Sequence, residues 1–255
     1  MGYLEPNINK IEAVGIIKHH IDNETPFLFS RFGDGEMWLL KKEINHIRKK
    51  RIFHEWGVND DNYLNIVNRV SGELIDSFNS CDLVGIMGKN HLDYGVSIKY
   101  DPDTWSIDVN RARGIGLDVK DNITDHLLCR GTEIGDPNNF KNILNNKKIH
   151  IISPNSDILK LKKLDDILEC EITYTKINRN PNSLIYHKDE LLTEVSKIKE
   201  NIVLFGMGAA GKSVGSYLKN NHNKLCLDFG STLDGWSNIR SRPWFNTTQQ
   251  HLLIK

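Results

Sequence analysis

Six short apolar runs of strand length, separated by segments of helical period, constrain this chain more than any other feature of its sequence. They lie near Phe27 to Phe32, Asp82 to Met87, Lys148 to Ile152, Glu171 to Ile177, Asn201 to Phe205 and Lys224 to Phe229. Parallel strands need long crossover connections, usually helical, so this alternation predicts an α/β layer structure. The expected fold is Rossmann-like: a mainly parallel sheet with helices on both faces. Ile8, Ile11, Ile16 and Ile17 put an apolar stripe on the first helix, and Leu64, Val67, Val70, Leu74 and Phe78 put one on a later helix. Asn155 or Ser156 is placed to cap a helix running through Ile158, Leu161 and Leu164.

Nothing in the sequence divides the chain. There is no internal repeat, low-complexity tract or Pro- or Ser-rich linker, so residues 1–255 are expected to form a single domain. The 33 Lys and Arg residues balance 33 Asp and Glu residues. That balance argues against nucleic acid as a partner, because non-specific binding to its backbone rests on excess positive charge. Cys81, Cys129, Cys170 and Cys226 lie far apart without a CxxC pair, so neither a zinc knuckle nor a disulfide scaffold is indicated. The N-terminus lacks the basic and apolar regions of a secretory signal, and no apolar run approaches the roughly 18 residues of a spanning helix. A cytoplasmic protein is expected, with peripheral membrane contact left open. The one basic cluster, Lys41 to Arg51, reads first as a solvated face and second as a contact for an acidic acceptor or a membrane surface. The least regular stretch, Lys89 to Gly116, reads as a substrate-side loop.

Two segments carry chemistry. In the first, Phe29-Ser30-Arg31-Phe32-Gly33-Asp34-Gly35-Glu36, an apolar strand breaks at two glycines, and a sharp turn is expected where open α/β sheets place their ligands. Asp34 and Glu36, separated by Gly35, offer two hard oxygen ligands suited to Mg²⁺ or Mn²⁺. Arg31 stands beside them with a planar fork matched to phosphate. The structural alternative is that Asp34 caps the helix holding Met37, Trp38, Leu39 and Leu40, with Glu36 in its first turn.

In the second segment, Asn201 to Ser213, a strand leads through a glycine turn into a helix start. Gly206, Gly208 and Gly211 match the dinucleotide fingerprint GxGxxG, and Gly206 to Ser213 matches the P-loop pattern GxxxxGKS. Both patterns let backbone N–H groups approach a phosphate at a helix N-terminus. The P-loop reading lacks chain: only about forty residues come after Ser213. A Rossmann NAD or S-adenosylmethionine site normally opens the first βαβ unit, whereas this motif falls in the last quarter of the chain. Glycines that merely allow tight strand-to-helix packing are the structural alternative.

These two segments, together with the stretch at 227–236, resemble the GT-D type glycosyltransferases. Ser30 to Glu36 (SRFGDGE) is similar to that family's metal-binding Asp-x-Glu element, residues 204–218 (LFGMGAAGKSVGSYL) to its Gly-rich turn, and residues 227–236 (LDFGSTLDGW) to its closing stretch. Residues 131–154 resemble its middle region more weakly, and the resemblance runs from about Phe27 to Trp236.

The resemblance implies transfer of a sugar from a nucleotide diphosphate donor, a UDP-sugar, to a bacterial glycan or glycopeptide acceptor, with Mn²⁺ or Mg²⁺ held by Asp34 and Glu36. The donor is then expected to meet Arg31, Gly33, Gly206, Gly208, Lys212 and Asp228. Asp234 is the expected base for the acceptor hydroxyl, with His91 and Asp93 as rivals, and Trp105 and Trp236 are candidates to stack on a ring. Two other readings compete: a Rossmann-type NAD or S-adenosylmethionine enzyme, and a non-catalytic nucleotide-binding subunit of a glycan assembly complex.

Overall fold

The computed structural model describes residues 2–42, 63–87, 106–130, 133–153, 164–177 and 188–237, with the backbone alone of Asp34 and Tyr63. The first half holds α1 (Lys10–Asp22), β1 (Phe27–Phe32), α2 (Asp34–Lys41), α3 (Tyr63–Ser80), β2 (Leu83–Ile86), α4 (Val109–Gly114) and β3 (Ile123–Asp125). The second half holds α5 (Pro137–Leu144), β4 (Ile149–Ser153), β5 (Ile172–Lys176), α6 (Lys188–Val195), β6 (Ile202–Phe205), α7 (Ala209–His222), β7 (Leu225–Asp228) and α8 (Ser231–Trp236).

Seven strands form one sheet in the order β3-β2-β1-β7-β6-β4-β5. Every pair is parallel. All six strands expected from the sequence are present. The seventh, β3, carries three residues and joins the sheet through Val84↔Ile123 beside β2, too short a run to show a period of its own.

Alternation along the strands sorts the side chains onto two faces. Phe27, Phe29, Ile149, Ile151, Leu204 and Leu227 pack on one face with Ile17 of α1, Phe140 of α5 and Trp236 of α8. Leu28, Phe32, Val84, Val203 and Phe205 pack on the other with Leu40 of α2, Leu74 of α3, Val195 of α6 and Val214 of α7. Both faces are covered, which explains why the strands read as continuous apolar runs.

The helices refine the expected stripes. Asn9 caps α1 by accepting from the Glu12 amide at 3.0 Å. The buried stripe of α1 is Ala13, Val14, Ile17 and Ile21, and Ile11 is 87% exposed. In α3 the expected Val67, Val70, Leu74 and Phe78 are buried with Ile66, whereas Leu64 in the first turn is 71% exposed.

The stretch expected as a loop at 89–116 ends in a helix, α4, capped by Asp108, which accepts from the amides of Asn110 and Arg111. Residues 88–105, with His91, Asp93 and Trp105, lie outside the described residues. So do 43–51 of the basic cluster and the expected helix start at Asn155 or Ser156. Lys41, at the start of that cluster, is not on a solvated face: it is buried and its ammonium donates to the Ser106 carbonyl at 3.2 Å. Among the described residues no helix is long and apolar enough to cross a membrane.

Candidate functional site

The carboxyl ends of β1, β7 and β6 are neighbours in the sheet, and each is followed by a glycine before a helix begins. Gly33 precedes α2, Gly206 and Gly208 precede α7, and Gly230 precedes α8. In an open α/β sheet the crevice beyond the carboxyl ends, where strand order reverses, is where ligands bind. Here the chain leaves β1 toward β2 and β3, later returning through β6 and β7 to the other side of β1.

Two of these glycines are required by their backbone. Gly208 has φ +58° and Gly230 φ +49°, both in the region that side-chain-bearing residues rarely adopt. A Cβ on Gly208 would meet no atom within 4 Å, so the space above that turn is open. A Cβ on Gly206 would stand 2.7 Å from the Gly230 carbonyl oxygen, so the turns after β6 and β7 pack backbone against backbone.

The start of α2 differs from expectation. Gly33 and Gly35 keep ordinary negative φ, and β1 passes directly into the helix instead of turning sharply. Gly33 is the N-cap and Asp34 the first helical residue. The capping group is Glu36, whose Oε2 accepts from the Gly33 amide at 3.1 Å. The capping alternative for this segment is thus half realised: Glu36 caps and Asp34 does not occupy the cap. Both carboxyl-bearing residues still fall in the first turn, at the helix end facing the crevice.

Four charged side chains meet there. The Asp228 carboxylate, 2% exposed, accepts from the Lys212 ammonium at 2.7 Å and from the Arg31 amide at 3.2 Å, and lies 3.6 Å from Arg31 Nε. Lys212, 3% exposed, also donates to the Gly208 carbonyl at 3.2 Å and lies 3.4 Å from Glu36 Oε1. Burial alone would raise the Asp228 pKa, but Lys212 and Arg31 outweigh it and hold the carboxyl below its ordinary range. Burial likewise opposes the charge on Lys212, and Asp228 and Glu36 overcome it, raising that pKa. The four formal charges cancel inside the sheet edge.

Six of the residues expected to meet the donor, Arg31, Gly33, Gly206, Gly208, Lys212 and Asp228, are therefore brought together. Lys212 and Asp228 are enclosed and bonded to each other, so they shape the edge from beneath. Arg31 and Glu36 remain partly open to solvent, with side chains 12% and 14% exposed. Asp234 lies half-buried in the first turn of α8, beyond the same edge. Trp236 is fully buried against Phe140 and Phe229, its ring N–H donating to the Gly135 carbonyl at 2.9 Å, so it packs and does not stack on a ligand.

Sequence reasoning passed over Gly230 and the segment that crosses this edge after β3. Cys129 Sγ contacts the Asp228 carbonyl, Thr232 donates to the Cys129 carbonyl at 2.9 Å, and the Arg130 guanidinium donates to Ser231 Oγ at 2.8 Å. Gly230 carried a usable signal, because it repeats the strand-then-glycine pattern of Gly33 and Gly206.

As for a metal, no group of three or more His, Cys, Asp and Glu side chains is placed to hold one among the described residues. The donors present nevertheless fit a hard divalent cation that takes one or two carboxylates and completes its shell with water and phosphate. Lys212 sits nearer Asp228 than Glu36, so Glu36 keeps lone pairs beyond its cap bond and is the more reachable of the two carboxylates.

The fold and this edge place the protein in a recognisable class. It has a glycosyltransferase-like α/β fold. A solved structure described as showing that the highly conserved domain of unknown function 1792 has a distinct glycosyltransferase fold superposes with TM-score 0.57 at 14% identity, covering 95% of this chain and 82% of that chain. A selenomethionine-substituted structure of the same domain gives TM-score 0.58 at 15% identity over the same shares. The family model of the GT-D fold-like domain matches residues 8–236, and the chain belongs to that family. No curated protein matches the sequence.

Proposed function

We propose that this protein is a metal-dependent glycosyltransferase that moves a sugar from a nucleoside diphosphate donor, a UDP-sugar, to a bacterial glycan or glycopeptide acceptor. The observation that carries the reading is the meeting, in a GT-D-like fold, of an open glycine turn, a carboxylate-bearing helix start and the Arg31 guanidinium at the ends of three adjacent strands. Asp34 and Glu36 would hold Mn²⁺ or Mg²⁺, which supplies positive charge to a diphosphate leaving group.

The chain's own groups have separable tasks. The turn at Gly206 to Gly208 leaves open space at the start of α7, where backbone N–H groups would bind a phosphate oxygen with the helix dipole behind them. Arg31 adds a planar cation whose worth grows as the leaving group gains charge, which favours the transition state over the ground state. Asp234 takes the proton of the acceptor hydroxyl.

The test is a panel of nucleotide sugars assayed for Mn²⁺-dependent release of the nucleotide, in the wild type and in Glu36→Gln. The glutamine keeps an oxygen to accept from the Gly33 amide but loses the charge. Release by the wild type and a drop of about 10²-fold or more in the variant, with little change in melting temperature, is the expected result. UDP binding without release or transfer for any donor would make the protein a non-catalytic nucleotide-binding subunit. Binding of NAD or S-adenosylmethionine instead would overturn the reading.

A further inference from the structure

Arg31 differs from the other charged groups at the sheet edge in one respect. Lys212 spends its donors on three oxygens and Asp228 is bonded to Lys212 and to the Arg31 amide, yet no side-chain N–H of Arg31 makes a hydrogen bond among the described residues. Its contact with Asp228, 3.6 Å from Nε to Oδ1, is an ion contact beyond hydrogen-bond length. Nε is buried without a hydrogen-bond partner, and a donor so placed is costly unless something bound there supplies the acceptor.

Its position is imposed from two sides. Asp228 draws the Nε edge inward. On the other side the guanidinium lies directly over Gly230, where a Cβ would fall 1.6 Å from Nη2 and 2.7 Å from Cζ. No side chain is compatible with that approach, and the positive φ of Gly230 disfavours one independently. Gly230 is in turn fixed against Gly206, so the guanidinium is set beside the glycine turn that opens toward α7.

We infer that Asp228 and Gly230 are positioning residues that hold the Arg31 fork as a receptor for a diphosphate, and that Lys212 neutralises the Asp228 carboxylate beneath it without touching ligand. An arginine suits the task because its fork presents parallel N–H donors to adjacent phosphate oxygens, which a lysine cannot do. The inference rests on the donor assigned above and adds the groups that grip its diphosphate.

The test measures binding of UDP and of inorganic pyrophosphate, each with Mn²⁺, by calorimetry in the wild type, Arg31→Ala, Gly230→Ala and the double variant. Removing charge-assisted hydrogen bonds should weaken both ligands by about tenfold or more in Arg31→Ala. Gly230→Ala should do the same with Arg31 still present. In the Arg31→Ala background the clash has no partner, so adding Gly230→Ala should cost less than about twofold more, the non-additivity expected when one residue acts through another. A purely structural role for Gly230 predicts additive losses. Far-UV spectra and melting curves identify a variant that fails to fold, in which case the comparison of wild type, Arg31→Lys and Arg31→Ala decides: Arg31→Lys should lose most of the affinity that Arg31→Ala loses.

Wild-type binding of both ligands with Gly230→Ala unaffected would overturn the inference and leave the glycosyltransferase reading standing. Pyrophosphate binding that depends on Arg31 and Gly230, with no nucleotide bound or released, would sink that reading and leave the receptor. Binding of neither ligand overturns the inference.

Discussion

The Lys212 ammonium has three protons, and three oxygens surround it: Asp228 Oδ2 at 2.7 Å, the Gly208 carbonyl at 3.2 Å and Glu36 Oε1 at 3.4 Å. The match explains how a lysine 2% exposed keeps its charge. It also makes the residue hard to remove. Lys212→Met fills similar volume but leaves Asp228 buried with only the Arg31 contacts, and breaking a buried pair on one side typically costs about 3–5 kcal/mol. Urea unfolding should show that loss, and the double variant Lys212→Met with Asp228→Asn should recover part of it because the orphaned charge is gone. A loss in Lys212→Met of less than about 1 kcal/mol, the scale of an exposed pair, would show that the enclosure is not real. The motif at 206–213 nominated this lysine as a phosphate ligand; in the structure its ammonium is enclosed by these three oxygens, while the Arg31 side chain is 12% exposed. Sequence spacing showed which residues come after a strand, but a pairing across 16 residues, Lys212 with Asp228, depends on which strands become neighbours.

At the scale of elements, α7 shows why its motif has the glycines it has. Phe205 ends β6, and its ring lies beneath two successive turns of α7. A Cβ at Gly211 would stand 2.6 Å from Phe205 Cδ2, and one at Gly215 would stand 2.9 Å from Cζ and 2.7 Å from Leu28 Cδ1. Gly211 and Gly215 therefore let the helix sit close on the sheet, whereas Gly206 and Gly208 serve the turn. The packing reading of this segment accounts for Gly211.

Alanine at 211 or 215 gains helix propensity of about 1 kcal/mol but meets an aromatic ring in a filled core, where overpacking costs about 1–3 kcal/mol. Gly211→Ala is expected to lower stability by up to about 2 kcal/mol, and to cost much less in a Phe205→Leu background where the ring is gone. Equal costs in both backgrounds would place the strain elsewhere. Element existence was legible wherever a strand was buried on both faces, as with β1 and β6. It was not legible for β3, three residues at the sheet edge, or for α4, six residues fixed by the Asp108 cap. Helix rotation was legible only in part. Ile11 and Leu64 fit an apolar period but lie outside the stripe that meets the sheet, because contact with the sheet, and not periodicity alone, selects the buried face.

At the scale of the whole molecule, the sheet has a polar network at each end, and the two respond to pH in one direction on the acid side. At the carboxyl edge the pKa of Asp228 is depressed. In the cavity bounded by Thr173, Thr175, Lys197 and Glu200, His150 is 5% exposed and both its ring nitrogens contact threonine hydroxyls, at 2.6 and 2.9 Å. Burial lowers its pKa, with Lys224 adding to that and Glu200 opposing it. Burial also lowers His20.

An unfolded histidine takes up its proton near pH 6.5, before these folded ones do. The unfolded state then binds more protons, and stability falls as pH drops below about 6.5. Asp228 and Glu200, also held low, extend the fall below about pH 4.5 by the same sign. Above about pH 9 the drift reverses. Burial pushes Cys81 and Cys129 up to about 12 and raises Cys226 as well, so unfolded thiols ionise first and stability is lost as pH rises. Lys120 and Lys224, lowered by burial, oppose that loss but number two against four raised thiols, Cys170 included.

Unfolding midpoints in urea under reducing conditions should therefore be highest between about pH 7 and 8.5 and fall on both sides. His150→Asn keeps a polar partner for the threonines while removing the titration. Its slope between about pH 5 and 6.5 should be shallower than that of the wild type. An unchanged slope would assign the acid limb to His20 or to groups outside the described residues, and would leave His150 with a packing role alone.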